Sequence, residues 1–175
     1  WLSKNSIEEV FEVWKLLSAE ISTKYDKPER KSKSVSVSLT EISGGSSHNV
    51  TPQKCKITID IRVPNGVKCL EILNHLDNSI KNISEMRKVK ITYRIEDMTE
   101  PFEADHSSAL VRALSLSILD LCKIRPALLM KTGTGDMNVL GNSLNIPVVT
   151  YGPGEPHVSH SKDERVEIQS YLTSI

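Results

Sequence analysis

The period of the apolar residues changes repeatedly along the N-terminal half of the chain, and this constrains the fold more than any other feature. Ile7, Val10, Phe11, Trp14, Leu17 and Ile21 recur at the spacing of one helix face, behind a Ser6–Glu9 pair that fits a capping box. These residues predict an amphipathic helix over about residues 6–24. Val35, Val37 and Leu39 then alternate with Ser36, Ser38 and Thr40, the period of a half-buried strand. Cys55, Ile57, Ile59 and Ile61 alternate with Lys56, Thr58, Asp60 and Arg62 as a second strand, ended by the turn Pro64–Asn65–Gly66. Leu70, Leu73, Leu76 and Ile80 return to helical spacing within residues 67–83. Val89, Ile91, Tyr93 and Ile95 predict a third strand. Helix, strand, strand, helix, strand is the order of a split βαβ, ferredoxin-like unit without its first strand.

After Glu100–Pro101 the pattern is different. Leu110, Val111, Leu114, Ile118, Leu119 and Cys122 predict a helix over about 107–123. Residues 127–130 and 147–151 are short apolar runs without alternation, as in the buried strands of an α/β sheet. Each leads into a loop, Lys131–Thr132–Gly133–Thr134–Gly135–Asp136 and Gly152–Pro153–Gly154, and residues 137–141 read as one or two helical turns between them. Loops at strand C-termini are where α/β folds place function. A boundary is expected near residues 96–106, dividing the chain into 1–100 and 101–175. A helix at the first residues, and another beginning near Glu164 and stopping mid-pattern, make a piece of a longer protein the expectation.

Lys and Arg number 22, as do Asp and Glu, so the chain lacks the basic excess of a general nucleic-acid or anionic-membrane surface. No apolar run is long enough to span a bilayer. The opening residues do not read as a secretory signal. Cys55, Cys69 and Cys122 are too scattered for a disulfide framework or a paired metal site, which points to a reducing, cytoplasmic setting.

Four segments could carry chemistry: Gly44–Gly45–Ser46–Ser47–His48–Asn49–Val50–Thr51–Pro52, leading to Asp60–Ile61–Arg62–Val63–Pro64; the loop 131–136; the segment from Gly152 through His157 to His160; and Asp163–Glu164. The Thr–Gly–Thr–Gly loop matches neither nucleotide-binding glycine pattern, since Lys131 precedes the glycines. His157 and His160 are spaced as two metal ligands could be, but such a pair alone on a surface is ordinarily incidental.

In this order the four segments resemble the dinuclear zinc hydrolases that include acetylornithine deacetylase, succinyl-diaminopimelate desuccinylase, aminoacylase and carboxypeptidase G. Lys131 to Asn138 looks most like the archaeal branch, the carrier-protein-linked lysine and ornithine hydrolases of lysine and arginine biosynthesis. The resemblance implies an α/β fold with an inserted α+β lid: residues 1–100 as a ferredoxin-like dimerisation lid, and 101–175 as the C-terminal part of a zinc-peptidase-like catalytic domain. It implies zinc, two ions in the whole protein, with cobalt as the alternative. It also implies a homodimer paired through the lid, and an N-acyl amino acid or an amino-group carrier protein as substrate partner, with no nucleic acid and no membrane.

Residue by residue, the resemblance makes His160 a metal ligand. It makes His48 the lid histidine that reaches the partner protomer's site and hydrogen-bonds the developing oxyanion, with Asn49 helping to hold the loop. Gly133, Thr134 and Asp136 become a substrate loop, with Asp136 either contacting a substrate ammonium or capping the helix that follows. Lys131 departs from the common pattern and is a candidate for binding a carboxylate. Asp60 and Arg62 share the strand's polar face and are read as a lid surface or a structural pair, not as catalysts. The family's other ligands and its general base belong upstream of the lid, so the chain alone is expected to be inactive. Alternative expectations are a dipeptidase, carboxypeptidase or desuccinylase of the same family, or a non-catalytic dimerisation module.

Overall fold

The computed structural model describes residues 4–27, 29, 33–130, 134–155, 157–159 and 161–175. They form two compact units. The first runs to Pro101 and takes in Thr134; the second comprises Phe102–Met130 and Gly135–Ile175.

In the first unit α1 spans Ser6–Tyr25. Its N-cap is Asn5, whose side chain accepts the Ile7 N–H at 3.0 Å, so the expected capping box on Ser6 is displaced by one residue. Asn caps as well as Ser, and the Ser6 N–H is engaged by the Pro52 carbonyl at 3.0 Å. Glu9 is thereby free to pair with Arg87, at 3.0 Å to Nε and 2.9 Å to Nη2. Strands β1, Ser36–Gly44, and β2, Cys55–Arg62, form a two-stranded antiparallel sheet. Pairing runs from Ser36↔Arg62 to Leu39↔Ile59, then resumes at Glu41↔Thr58 and ends at Gly44↔Cys55. Thr40 is the extra residue of a β-bulge. Helix α2 spans Cys69–Arg87, and the Glu100 carboxylate accepts the Cys69 N–H at 3.2 Å, satisfying a helix terminus that Lys68 cannot cap.

Two apolar clusters hold this unit together. Ile21, Tyr25, Val35 and Ile72 form one, and Val37 and Ile61 pack on it. Val13, Leu17 and Ile83 form the other, joined by Ile59 and Ile80. Each such side chain contributes about 1.5–3 kcal/mol by leaving water. The expected third strand is not a strand. Residues 89–95 have no ladder partner among the described residues, although Val89 and Ile91 pack on the second cluster. Their alternation records burial of one side, and burial alone does not make a strand without a hydrogen-bonding neighbour.

The second unit is helical: α3 Ala109–Cys122, α4 Asp136–Leu144 and α5 Ile168–Thr173. The Ser108 hydroxyl caps α3 by accepting the Val111 N–H at 3.3 Å. The apolar runs 127–130 and 147–151 are likewise not strands, for want of a ladder partner among the described residues. Gly141 is required where it stands: a Cβ there would lie 2.2 Å from the Phe102 ring.

Candidate functional site

The site in the first unit grows out of the far end of β1. Gly44 ends the strand where there is no room for a side chain, since a Cβ would meet Cys55 Sγ at 2.9 Å and Ile7 Cγ1 at 3.2 Å. Gly45 follows at φ +82°, the left-handed region where glycine is at ease, and turns the chain out of the sheet. The loop is then tied internally. The Ser47 hydroxyl donates to Asn49 Oδ1 at 2.7 Å, and the Val50 N–H donates to the Ser47 carbonyl at 3.4 Å. It returns to α1 through the bond from the Ser6 N–H to the Pro52 carbonyl. The result is an open cleft lined by Asn5, Ile7 and residues 44–52.

His48 stands exposed in this loop, and its imidazole makes no hydrogen bond or ion pair among the described residues. A ring left free at the rim of a braced loop can donate an N–H to a ligand without first breaking an internal bond. Asn49 is spent on Ser47, a role in the loop's own structure. Asp60 and Arg62 pair along β2 at the other end of the sheet, opposite Ser38 and Ser36, Nε to Oδ2 at 3.0 Å, with both side chains largely exposed. Burial pushes the nearby Cys55 thiol up, which disfavours its thiolate.

The other expected residues divide. Lys131, Gly133 and His160 lie outside the described residues. Thr134 belongs to the first unit and is exposed. Asp136 opens α4 in the second unit but does not cap it. The N-cap is Gly135, whose N–H donates to Asn138 Oδ1 at 3.1 Å, while the Asn138 N–H donates to the Gly135 carbonyl at 2.9 Å. Of the two roles left open for Asp136, the cap is therefore taken by another residue. Its carboxylate is exposed in the first turn, where the helix dipole favours a negative charge.

Sequence reasoning missed the contact that closes the GPG segment. The Arg165 guanidinium grips the Glu155 carboxylate with both arms, at 3.2 Å and 3.1 Å. Turns at Val158 and Ser161 brace the stretch between, and Gly152, Gly154, Ser159 and Val166 join the pair in lining a shallow cleft. Two ends of one loop carrying opposite charges was the available signal. His157 sits in one of these turns, exposed. Among the described residues no three His, Cys, Asp or Glu side chains come together as metal ligands. A hydrolytic zinc needs about three protein ligands, so the described residues do not by themselves make a metal centre. No described helix is long and apolar enough to cross a membrane.

Residues 1–86 match the M20 peptidase dimerisation domain. The fold agrees with that of an M20 family metallo-carboxypeptidase from Sulfolobus solfataricus, with a TM-score of 0.65 at 14% identity over 99% of this chain and 43% of that one. The chain belongs to the M20 family. It is 32% identical to a putative LysW-lysine/LysW-ornithine hydrolase of Pyrobaculum aerophilum, over 94% of this chain and 42% of the relative. It is also 32% identical to a LysW-lysine/LysW-ornithine hydrolase of Saccharolobus solfataricus, over 91% of this chain and 43% of the relative. This M20 chain thus spans less than half the length of those relatives. The braced loop carrying His48 falls within the dimerisation-domain match.

Proposed function

We propose that this chain is the lid and C-terminal portion of a longer M20 hydrolase. The whole protein would cleave an amide to release an amino acid such as lysine or ornithine from its N-acylated or carrier-protein-linked form. The observation that carries the reading is the His48 loop: fixed at Gly44 and Pro52, tied across Ser47 and Asn49, and presenting an unpaired imidazole. The relatives named for LysW-linked substrates support the substrate class. In the dimer His48 reaches the partner protomer's site and donates to the oxygen that gains charge as the amide carbonyl is attacked. One such donor is worth about 3 kcal/mol.

A metal, zinc or cobalt, supplies the polarised carbonyl and the activated water when bound. His160 contributes one ligand, and the remainder come from the rest of the polypeptide. Thr134 and Asp136 line the substrate side: the hydroxyl takes the substrate carboxylate, and the Asp136 carboxylate takes an ammonium. Residues 1–100 act as the pairing lid, and 101–175 as part of the catalytic domain of a cytoplasmic enzyme.

The test is His48→Ala in the full-length protein. Turnover should fall about 100-fold, the usual loss for one oxyanion donor, with metal content unchanged. Unaltered turnover would make His48 a loop residue only. His160→Ala should instead lose metal and activity together, and two full equivalents of metal in that variant would remove it from the ligand set.

A further inference from the structure

Val37 and Gly44 are an odd number of residues apart, yet both face α1. Val37 packs on the cluster containing Ile21 and Tyr25 of that helix. A Cβ on Gly44 would stand 3.2 Å from Ile7 of the same helix. In an unbroken strand, residues an odd number apart lie on opposite faces. The parity is reset at Thr40, which stands unpaired between Leu39↔Ile59 and Glu41↔Thr58. Two side-chain bonds pin the irregularity. The Thr40 hydroxyl donates to the Thr58 carbonyl at 3.2 Å, and the Thr58 hydroxyl donates to the Glu41 carboxylate at 3.1 Å.

We propose that this bulge, with Thr40, Thr58 and Glu41, positions the His48 loop. Its near end leaves β1 at Gly44, and its far end is tied to α1 at Ser6. Both anchors therefore refer to the first turn of α1, and only the bulge brings the near one to that face. Removing one residue would turn 41–44 over and shift the loop's origin by about 3.3 Å along the strand. A hydrogen-bond donor at a reacting centre tolerates misplacement of only about 0.5 Å. The inference rests on the reading of His48 given above. Thr40, Thr58 and Glu41 touch no substrate in it and act through the loop.

The experiment pairs deletion of Thr40 with Thr40→Val and Thr40→Ser. In the 175-residue chain, deletion should move the amide resonances of residues 45–52 and abolish exchange protection of the Ser6 N–H. Unmoved resonances would overturn the proposal. In the full-length protein, deletion should lower kcat about as far as His48→Ala, roughly 100-fold, with KM little changed. Combining the two should cost no more than either alone, whereas multiplicative losses would overturn the proposal. Should the deletion fail to fold, Thr40→Val decides: up to about a tenfold loss of kcat, the worth of one hydrogen bond, restored by Thr40→Ser. Equal activity of the Val and Ser variants would overturn it. A displaced loop, with kcat unchanged in both the deletion and His48→Ala, would sink the catalytic reading of His48 and leave the bulge's hold on the loop standing.

Discussion

The two units are built on different terms. The first buries Val13, Leu17, Ile21, Tyr25, Val35, Ile72 and Ile83 in two clusters, because α1 and α2 lay their apolar faces on each other and on the sheet. In the second, Val111 is the one buried apolar side chain among the described residues, and Leu116, Leu121 and Leu129 are 66%, 67% and 86% exposed. Helices α3 and α4 are nonetheless well begun and well ended: Ser108 caps α3, Gly135 and Asn138 bond reciprocally at the start of α4, and Asn145 closes it in a left-handed turn. Local hydrogen bonds are enough to start and stop a helix, whereas a core needs a second layer. Under the proposed reading, the rest of the polypeptide supplies that layer.

Truncating one leucine-sized side chain in each unit tests this contrast most severely. Ile83→Ala, at 1% exposure, should cost about 3–4 kcal/mol through lost burial and an unfilled cavity. Leu121→Ala, at 67%, should stay within about 0.5 kcal/mol. Urea unfolding followed by Trp14 fluorescence for the first, and by circular dichroism for the second, reads both. Equal costs would break the comparison.

Gly141→Ala probes a place where the second unit is closely packed. The added methyl would sit 2.2 Å from the Phe102 ring, and the strain should cost about 1–2 kcal/mol net of the helix propensity gained. Faster amide exchange in α4 should accompany it. A neutral or stabilising effect would mean that Phe102 swings aside freely.

The ion pairs sharpen the contrast on a smaller scale. Glu9 and Arg87 are 18% and 34% exposed, so Glu9→Gln should cost about 1 kcal/mol. Glu155 and Arg165 are 56% and 62% exposed, and Glu155→Gln should cost under about 0.5 kcal/mol despite the two-armed grip. Denaturant midpoints with and without added salt separate the two.

The smallest effect is chemical. Burial, and then the neighbouring Glu100 carboxylate, raise the Cys69 thiol above its ordinary value, while Cys122 is exposed. Alkylation at neutral pH should modify Cys122 first and Cys69 last, as mass spectrometry of partly labelled chain will show. Because folding raises the Cys69 value, its contribution to stability is complete below the unfolded thiol's titration, near pH 8.5. It is lost as the pH climbs through the higher folded value. Cys69→Ala should flatten that alkaline decline, and an unchanged decline would assign it elsewhere.

Every helix was legible in the sequence because its period is local: i, i+3 and i+4 neighbours meet whatever surrounds them. Boundaries moved by a turn or less in α1 and α3. α2 ran one turn further, to Arg87, where Lys88 adopts the left-handed cap. The bulge also left a trace, since the apolar spacing of β1 jumps from two to three between Leu39 and Ile42. A residue count could register that jump but could not say which face it served.

The sequence by itself therefore determined the helices, the β1–β2 hairpin and the loop that carries His48, along with the motif order that marks an M20 chain. Tertiary structure alone decided which apolar runs became strands. Residues 55–62 found β1 beside them, while 89–95, 127–130 and 147–151 found no such neighbour among the described residues. It also decided that the Ser6 N–H goes to the Pro52 carbonyl while Asn5 caps α1, and that Gly44 returns to the α1 face. The reason is common to all of these. A helix satisfies its backbone within one segment. A strand and the facing of a bulged strand are settled by groups that come from elsewhere in the fold.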